Sequence, residues 1–465
     1  MTDDPRDMQR MTSDAPRRSL RIMISTGHLG TAPSGAESFA AGMATNPDYL
    51  VADGGSSDPG PVYLGDNRVL GQFVEEELEL FLTASRARGI PLIIGSAGDA
   101  GSNHGVDETV RMLRAIAERH RIPRFRIGWF YSEVPADAIA ARIAGGERMP
   151  GLGGFPDLTA EEARAATRIV AVAGVHPFIR LLDMGADVIV GGRCGDIAIT
   201  AAPCIRAGFP EALAYHMGKM IECASLVAEP FMGKETIIGT ITDDDILLTP
   251  FHPGQRVTVA SAAGHSMYER ETPFFERTLG GLLDMRECRY TEEGRSCRIS
   301  GARFVPEDPL TVKLEGARKV GERYMGIVGV RDPHVIRNLD AAIAWCRGAV
   351  ARQFGGVEHE LHVHVFGRNG VLGDLEPCSG PPPHEVCLVV EGLAATDTLA
   401  HKLTDFAVRM FFLARIPGSK GSSGLAATTK ETMRSSPGFV WNVNHTMRIA
   451  DPMELFPVHV DDAGI

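Results

Sequence analysis

Five short, almost wholly apolar runs, at 20–25, 49–52, 91–94, 125–130 and 187–190, alternate with stretches of helical patterning such as 67–88, 107–119 and 159–173. A strand that is apolar on both faces must be covered on both faces. Such strands separated by helices therefore predict a parallel sheet with helices packed on either side. Right-handed crossovers would then bring the C-terminal end of every strand to one rim.

After residue 229 the pattern changes. Shorter β-like pieces at 235–242, 296–304 and 310–314 precede a helical stretch at 333–353. The last hundred residues read as strands at 359–366 and 385–390, a helix at 396–413 and a strand at 440–449. A β-β-α-β order is that of a compact α+β unit. The expected architecture is thus an α/β fold with a parallel sheet flanked by helices in a main domain (19–355) and a smaller α+β C-terminal domain (356–465). Residues 1–18, polar and charged, read as a disordered tail.

Composition narrows the function. Lys and Arg number 47 against 59 Asp and Glu, a net charge of −12, with no basic run to track phosphates, so nucleic acid is not an expected partner. No apolar run is long enough for a membrane span and no signal-type segment opens the chain, which predicts a cytoplasmic location. Eight cysteines are scattered without a C-x-x-C pair; a zinc ribbon or redox dithiol is not expected. A chain of this size is expected to form a homo-oligomer on general grounds.

Ligands of open parallel sheets sit beyond the carboxyl ends of the strands. Four of the five runs end in small, polar turns there: Gly27-His28-Leu29-Gly30, Asp53-Gly54-Gly55-Ser56, Ser96-Ala97-Gly98-Asp99 and Gly191-Gly192-Arg193-Cys194-Gly195-Asp196. Gly27, Gly54, Gly55, Gly98, Gly191 and Gly192 would let backbone approach a ligand, with Ser96 adding a hydroxyl. None of the turns is a good G-x-G-x-x-G and no P-loop is present, so no nucleotide cofactor is expected.

The last turn is the most informative. Arg193 stands where an anion would be held by its guanidinium and a helix N-terminus. Asp196 is a candidate N-cap or base, and Cys194 a candidate low-pKa nucleophile or a packed thiol. If Arg193 only binds substrate, Arg193→Ala should leave the thermal midpoint nearly unchanged. Asp53 and His265 complete the candidate acid–base residues. Arg368 and Asn369, in the turn Gly367-Arg368-Asn369-Gly370, are candidates to reach a ligand at the domain junction. His362 and His364 alternate on one strand face, a spacing that permits a divalent metal pair as a third reading.

These segments resemble the acyclic terpene utilisation (AtuA-type) family from about Leu20 to Pro457. The carriers are Ala186 to Asp196; His216 with Ile221-Glu222-Cys223; Ser300 to Pro306; Thr311 to Ala317; Gly367 to Gly373; and Asp451-Pro452-Met453-Glu454-Leu455-Phe456-Pro457. The first turn is shorter than the usual family loop, and the run after Gly418 departs from it. The resemblance implies a place in catabolism of branched or terpenoid acids and their CoA thioesters. The resulting expectation is a cofactor-independent enzyme, a lyase (hydratase) or isomerase, acting next to a carbonyl of a small or branched carboxylic acid or its CoA thioester. The alternative is a non-catalytic or co-catalytic acyl-CoA-binding subunit that docks a partner subunit.

Overall fold

The computed structural model describes residues 18–465 apart from 57–58, 68–70, 271, 379 and 422. Of the expected tail, 1–17 lie outside the described residues, as does part of the stretch 67–88.

Six strands open the chain: β1 (Leu20–Ile24), β2 (Tyr49–Asp53), β3 (Leu92–Gly95), β4 (Phe125–Phe130), β5 (Arg168–Ala171) and β6 (Val188–Gly191). Strands β1, β2, β3, β6 and β4 lie side by side in that order, all parallel. The parallel core read from the apolar runs is present. Alternate residues feed opposite faces, as the pleat requires. Ile22, Ile24, Val51, Ile93 and Ile189 join the core shared with helices Ala198–Arg206 and Glu211–Ile221, whereas Met23, Leu50, Ile94 and Val190 join that of Val74–Arg88 and Asn103–Arg119. Residues apolar on both sides of the sheet are the reason the runs lack alternation.

Antiparallel strands extend this sheet at both edges. Next come β7 (Ile237–Ile241), β8 (Ile246–Pro250), β9 (Phe275–Thr278), β10 (Gly281–Asp284), β11 (Arg289–Glu293), β12 (Ser296–Ser300) and β13 (Arg303–Pro306). Strand β7 pairs with β1, and β8, β12 and β11 follow outward; β9, β10 and β13 form a separate antiparallel sheet. The stretch 296–304, expected as one strand, is broken at Gly301, whose φ of +92° turns the chain.

The remaining strands are β14 (Thr311–Val330), β15 (His359–Phe366), β16 (Val386–Ala394), β17 (Ala427–Thr428), β18 (Met433–Arg434), β19 (Gly438–Arg448) and β20 (Val458–Ala463). Strand β14 links two layers. Its first half pairs with β5 and β19, its second with β16. A further core under β15 and β16 is built by helices Leu339–Phe354 and Asp397–Phe412. Strand β20 closes the far edge of the large sheet against β4. The protein is therefore a mixed α/β structure with one large, centrally parallel sheet and further antiparallel sheets.

Two local expectations change. The helix read at 159–173 ends at Ala165, and Ile169-Val170 enter strand β5, because the open ladder of β14 offers pairing that a β-branched pair prefers. The stretch 333–353 is two helices, Pro333–Arg337 and Leu339–Phe354, divided at Asn338. No helix among the described residues is long and apolar enough to cross a membrane.

Candidate functional site

The four glycine-rich turns meet at one rim and are laced together by backbone hydrogen bonds. Leu29 N donates to Asp53 O (2.9 Å), Gly54 N to Gly95 O (2.7 Å), Asp99 N to Gly54 O (3.2 Å), Ala97 N to Gly191 O (2.9 Å) and Arg193 N to Gly101 O (3.0 Å). Close packing against the rest of the protein, rather than ligand approach, accounts for most of the glycines. A Cβ would fall 2.4 Å from Cys223 Cα at Gly27, 2.3 Å from Gly95 O at Gly54, 2.2 Å from Asp99 Cα at Gly55, 2.3 Å from Gly105 Cα at Gly98, 2.9 Å from Phe178 Cζ at Gly191 and 2.5 Å from Ser132 Oγ at Gly192. Gly195, by contrast, faces space: its nearest neighbour would be Ala173 O at 4.0 Å.

The third turn carries unusual backbone geometry. Ser96 and Asp99 both have positive φ (+41° and +81°), which for residues with a Cβ persists only where the surroundings impose it. Gly101, at φ +64°, would place a Cβ 2.2 Å from Arg193 N. Gly101→Ala is therefore expected to lower stability by ~2 kcal/mol or more, visible as a fall in thermal midpoint. Gly233→Ala, at φ +89° with nothing within 4 Å, should cost visibly less.

Three carboxylates converge here from separate parts of the chain: Asp53 at the end of β2, Asp196 after β6, and Glu222 at the end of helix Glu211–Ile221. Asp53 is 3% exposed and Glu222 4% exposed. Burial raises the Asp53 carboxyl well above the usual range and the charge of Asp196 adds to this; the Gly55 N–H and Arg193 oppose it, and Glu222 pushes the same way. Burial likewise carries Glu222 up to about 8, against the pull of Lys219 and with a further push from Asp196. Lys219 Nζ lies 2.5 Å from Glu222 Oε1 and 4.6 Å from the centre of the Tyr268 ring. Asp99 is also raised by burial, partly offset by His28, whose Nε2 is 2.8 Å from Asp99 Oδ1.

Arg193 differs from the expected open clamp. Its side chain is 9% exposed, its Nε donates to Glu315 Oε2 at 2.9 Å, and Asp196 Oδ1 lies 3.8 Å from Nη1. Ser96 Oγ stands 3.3 Å from Nη1. Burial alone would depress the guanidinium, but Glu315 and Asp196 outweigh it and leave Arg193 more basic. Glu315 also accepts from Lys313 Nζ at 2.7 Å; against the effect of its burial, the two cations hold it down at about 2.

Other expectations need correction. Asp196 is not the N-cap of the following helix: Ile197 occupies that position without a side-chain cap bond, and Asp196 is turned toward Arg193. Cys194 is fully buried, and burial and Asp53 push its thiol up to about 12, which fits the packed thiol of its two readings. His265 is 8% exposed and held down at about 4 by burial and by the charges of Lys219 and Arg270; its ring stacks on Tyr268 at 4.8 Å, and no hydrogen bond joins it to Asp53 or Asp196. Arg368 pairs with Asp340 at 2.7 Å, and the Asn369 amide closes its own turn onto Gly373 O at 3.3 Å. Neither bonds to a rim residue. His362 and His364 each face a carboxylate, Glu360 (2.9 Å) and Glu391 (3.1 Å). Among the described residues no group of three His, Cys, Asp or Glu is placed to hold a metal ion.

The sequence reading gave no role to Lys219, Glu222, Asp99, His28 or Glu315. Glu222 and Glu315 lie in two of the stretches that carry the family resemblance, Ile221-Glu222-Cys223 and Thr311 to Ala317, but neither pattern names a partner for its acid.

Interlocked turns at the carboxyl ends of parallel strands, with buried carboxylates of raised pKa beside them, define an α/β protein whose rim is a candidate site. The sequence model of the acyclic terpene utilisation family protein AtuA matches residues 20–449, and the chain belongs to that family. No curated protein and no solved structure matches it.

Proposed function

We propose that the rim carries out proton transfer next to the carbonyl of a small, branched carboxylic acid or its CoA thioester, as in hydration–elimination or isomerisation, within acyclic terpene utilisation. The observation that carries this reading is the pairing of Asp53 with Asp196. A buried carboxyl, raised well above its usual range by burial, feels the charge of a second carboxylate whose side chain is 38% exposed. Two acids in such unlike surroundings divide the roles of proton donor and acceptor. Asp196 takes the proton from the carbon next to the carbonyl, and Asp53 supplies one to the developing oxyanion or leaving hydroxyl. Glu222 and Lys219 set the field around Asp53. Arg193, tied to Glu315, holds Asp196 at the rim rather than meeting substrate directly.

The test is proton exchange with solvent. The protein is incubated in D2O with a panel of branched and terpenoid acids and their CoA thioesters, and NMR follows deuterium entering the carbon next to the carbonyl. Uptake with at least one compound is expected. Binding of a thioester with no uptake from any compound would overturn the proposal and support an acyl-CoA-binding subunit instead.

A further inference from the structure

Glu315 serves two neighbourhoods. Its Oε2 takes Arg193 and its Oε1 takes Lys313, and together with Lys313 it lines a pocket of about 240 Å³ whose other walls are Phe155, Trp441, Val443 and Asn444. Strand geometry makes this pocket. Lys313 and Glu315 are two residues apart on β14 and share a face, and β19, paired with that half of β14, brings Trp441, Val443 and Asn444 beside them. The pocket adjoins the rim, since Trp441 packs on the small cluster of Ala100, Val170, Ala317 and Leu64, and Ala100 belongs to the Ser96–Ser102 turn.

Its chemistry is specific. Two cations, Arg193 and Lys313, share the one Glu315 carboxylate. Lys313 is 43% exposed, and its hydrogen bond to Glu315 uses one of three ammonium donors. Asn444 adds an amide, while Phe155, Trp441 and Val443 supply an apolar wall. A volume of about 240 Å³ lies below the ~300–1,000 Å³ of pockets that bury drug-sized ligands; it suits a small acid.

We propose that this pocket binds a short, branched carboxylic acid as its anion, with the carboxylate on Lys313 and Asn444 and the alkyl group against Phe155, Trp441 and Val443. Naming that ligand the substrate rests on the proton-transfer reading of the rim; its binding does not.

Calorimetric titration with 3-methylbutanoate tests the site, with 3-methylbutanamide as the neutral isostere. The wild-type protein should bind the acid, and Lys313→Met, which keeps the stem and removes the charge, should weaken it by about tenfold or more. The amide should bind the wild-type protein about as weakly as the acid binds K313M. Phe155→Ala should weaken both ligands. No binding of the acid to the wild-type protein, or equal affinity in K313M, would overturn the assignment. The two proposals fail separately. If both substitutions weaken binding but wild-type protein moves no deuterium in any panel compound, the pocket stands and the proton-transfer reading falls. If deuterium moves while neither substitution changes acid binding, the pocket assignment falls alone.

Discussion

Asp53→Asn is expected to slow deuterium uptake by about 100-fold or more, the scale of a lost general acid, and to make the protein more heat-stable at pH 8 than the wild type. The isostere keeps the Asp53 Oδ1 acceptor that meets Gly55 N at 3.2 Å, so the turn should survive. The stability effect follows from the raised carboxyl. The folded protein holds this proton to higher pH than the unfolded chain, in which an Asp titrates near 3.9. Its contribution is present in full below about pH 4 and is lost as pH rises toward the raised folded value. Thermal midpoints of D53N and wild type should therefore converge near pH 4 and separate above it, with the variant higher. A midpoint difference independent of pH would show that Asp53 is ionised in the folded protein.

The second large effect is structural. Arg193→Ala should destabilise the protein by ~3 kcal/mol, since removing one partner of a buried pair strands the other; the thermal midpoint would fall by roughly 5 °C. An arginine met only in a glycine-rich turn invites the opposite expectation, that it binds substrate and can be deleted without structural cost. Glu315, 5% exposed and bonded to that guanidinium, reverses it. Lys313 remains beside Glu315, which sets the loss at the lower end of the range for broken buried pairs. An unchanged midpoint would return Arg193 to a purely binding role.

These expectations also mark where sequence reading succeeds. Strand β3 and its neighbours were legible because both faces are covered, so every residue of Leu92–Gly95 is buried and small or apolar. The rim was legible for the same reason, as Asp53, Ser96 and Arg193 directly follow or end those strands. What stayed hidden depends on contacts across the chain. Arg193 and Glu315 are 122 positions apart, and no local pattern ties a turn after β6 to a residue in β14. Glu222 and Lys219 are in plain view on one helix, yet it takes packing such as that of Gly27 against Cys223 to bring that helix end to the first turn. Strand β5 read as helix because four residues carry too little periodicity to compete with the helix before them; the ladder on β14 decides it. The glycines misled in a more instructive way. Their density marked the right place, but the atoms they make room for belong to neighbouring turns, helices and side chains of the protein itself.

Proton transfer at the rim requires Asp53 and Asp196 to act as one unit. The direct measurement is the rate of deuterium uptake next to the carbonyl, for whichever panel compound exchanges fastest, by the wild-type protein, D53N, D196N and the double variant. If the pair shares one proton-transfer step, each single substitution should cost about 100-fold or more and the double should cost little beyond the worse single. A single variant that exchanges at the wild-type rate, or a double variant whose loss is the product of the two, would contradict it.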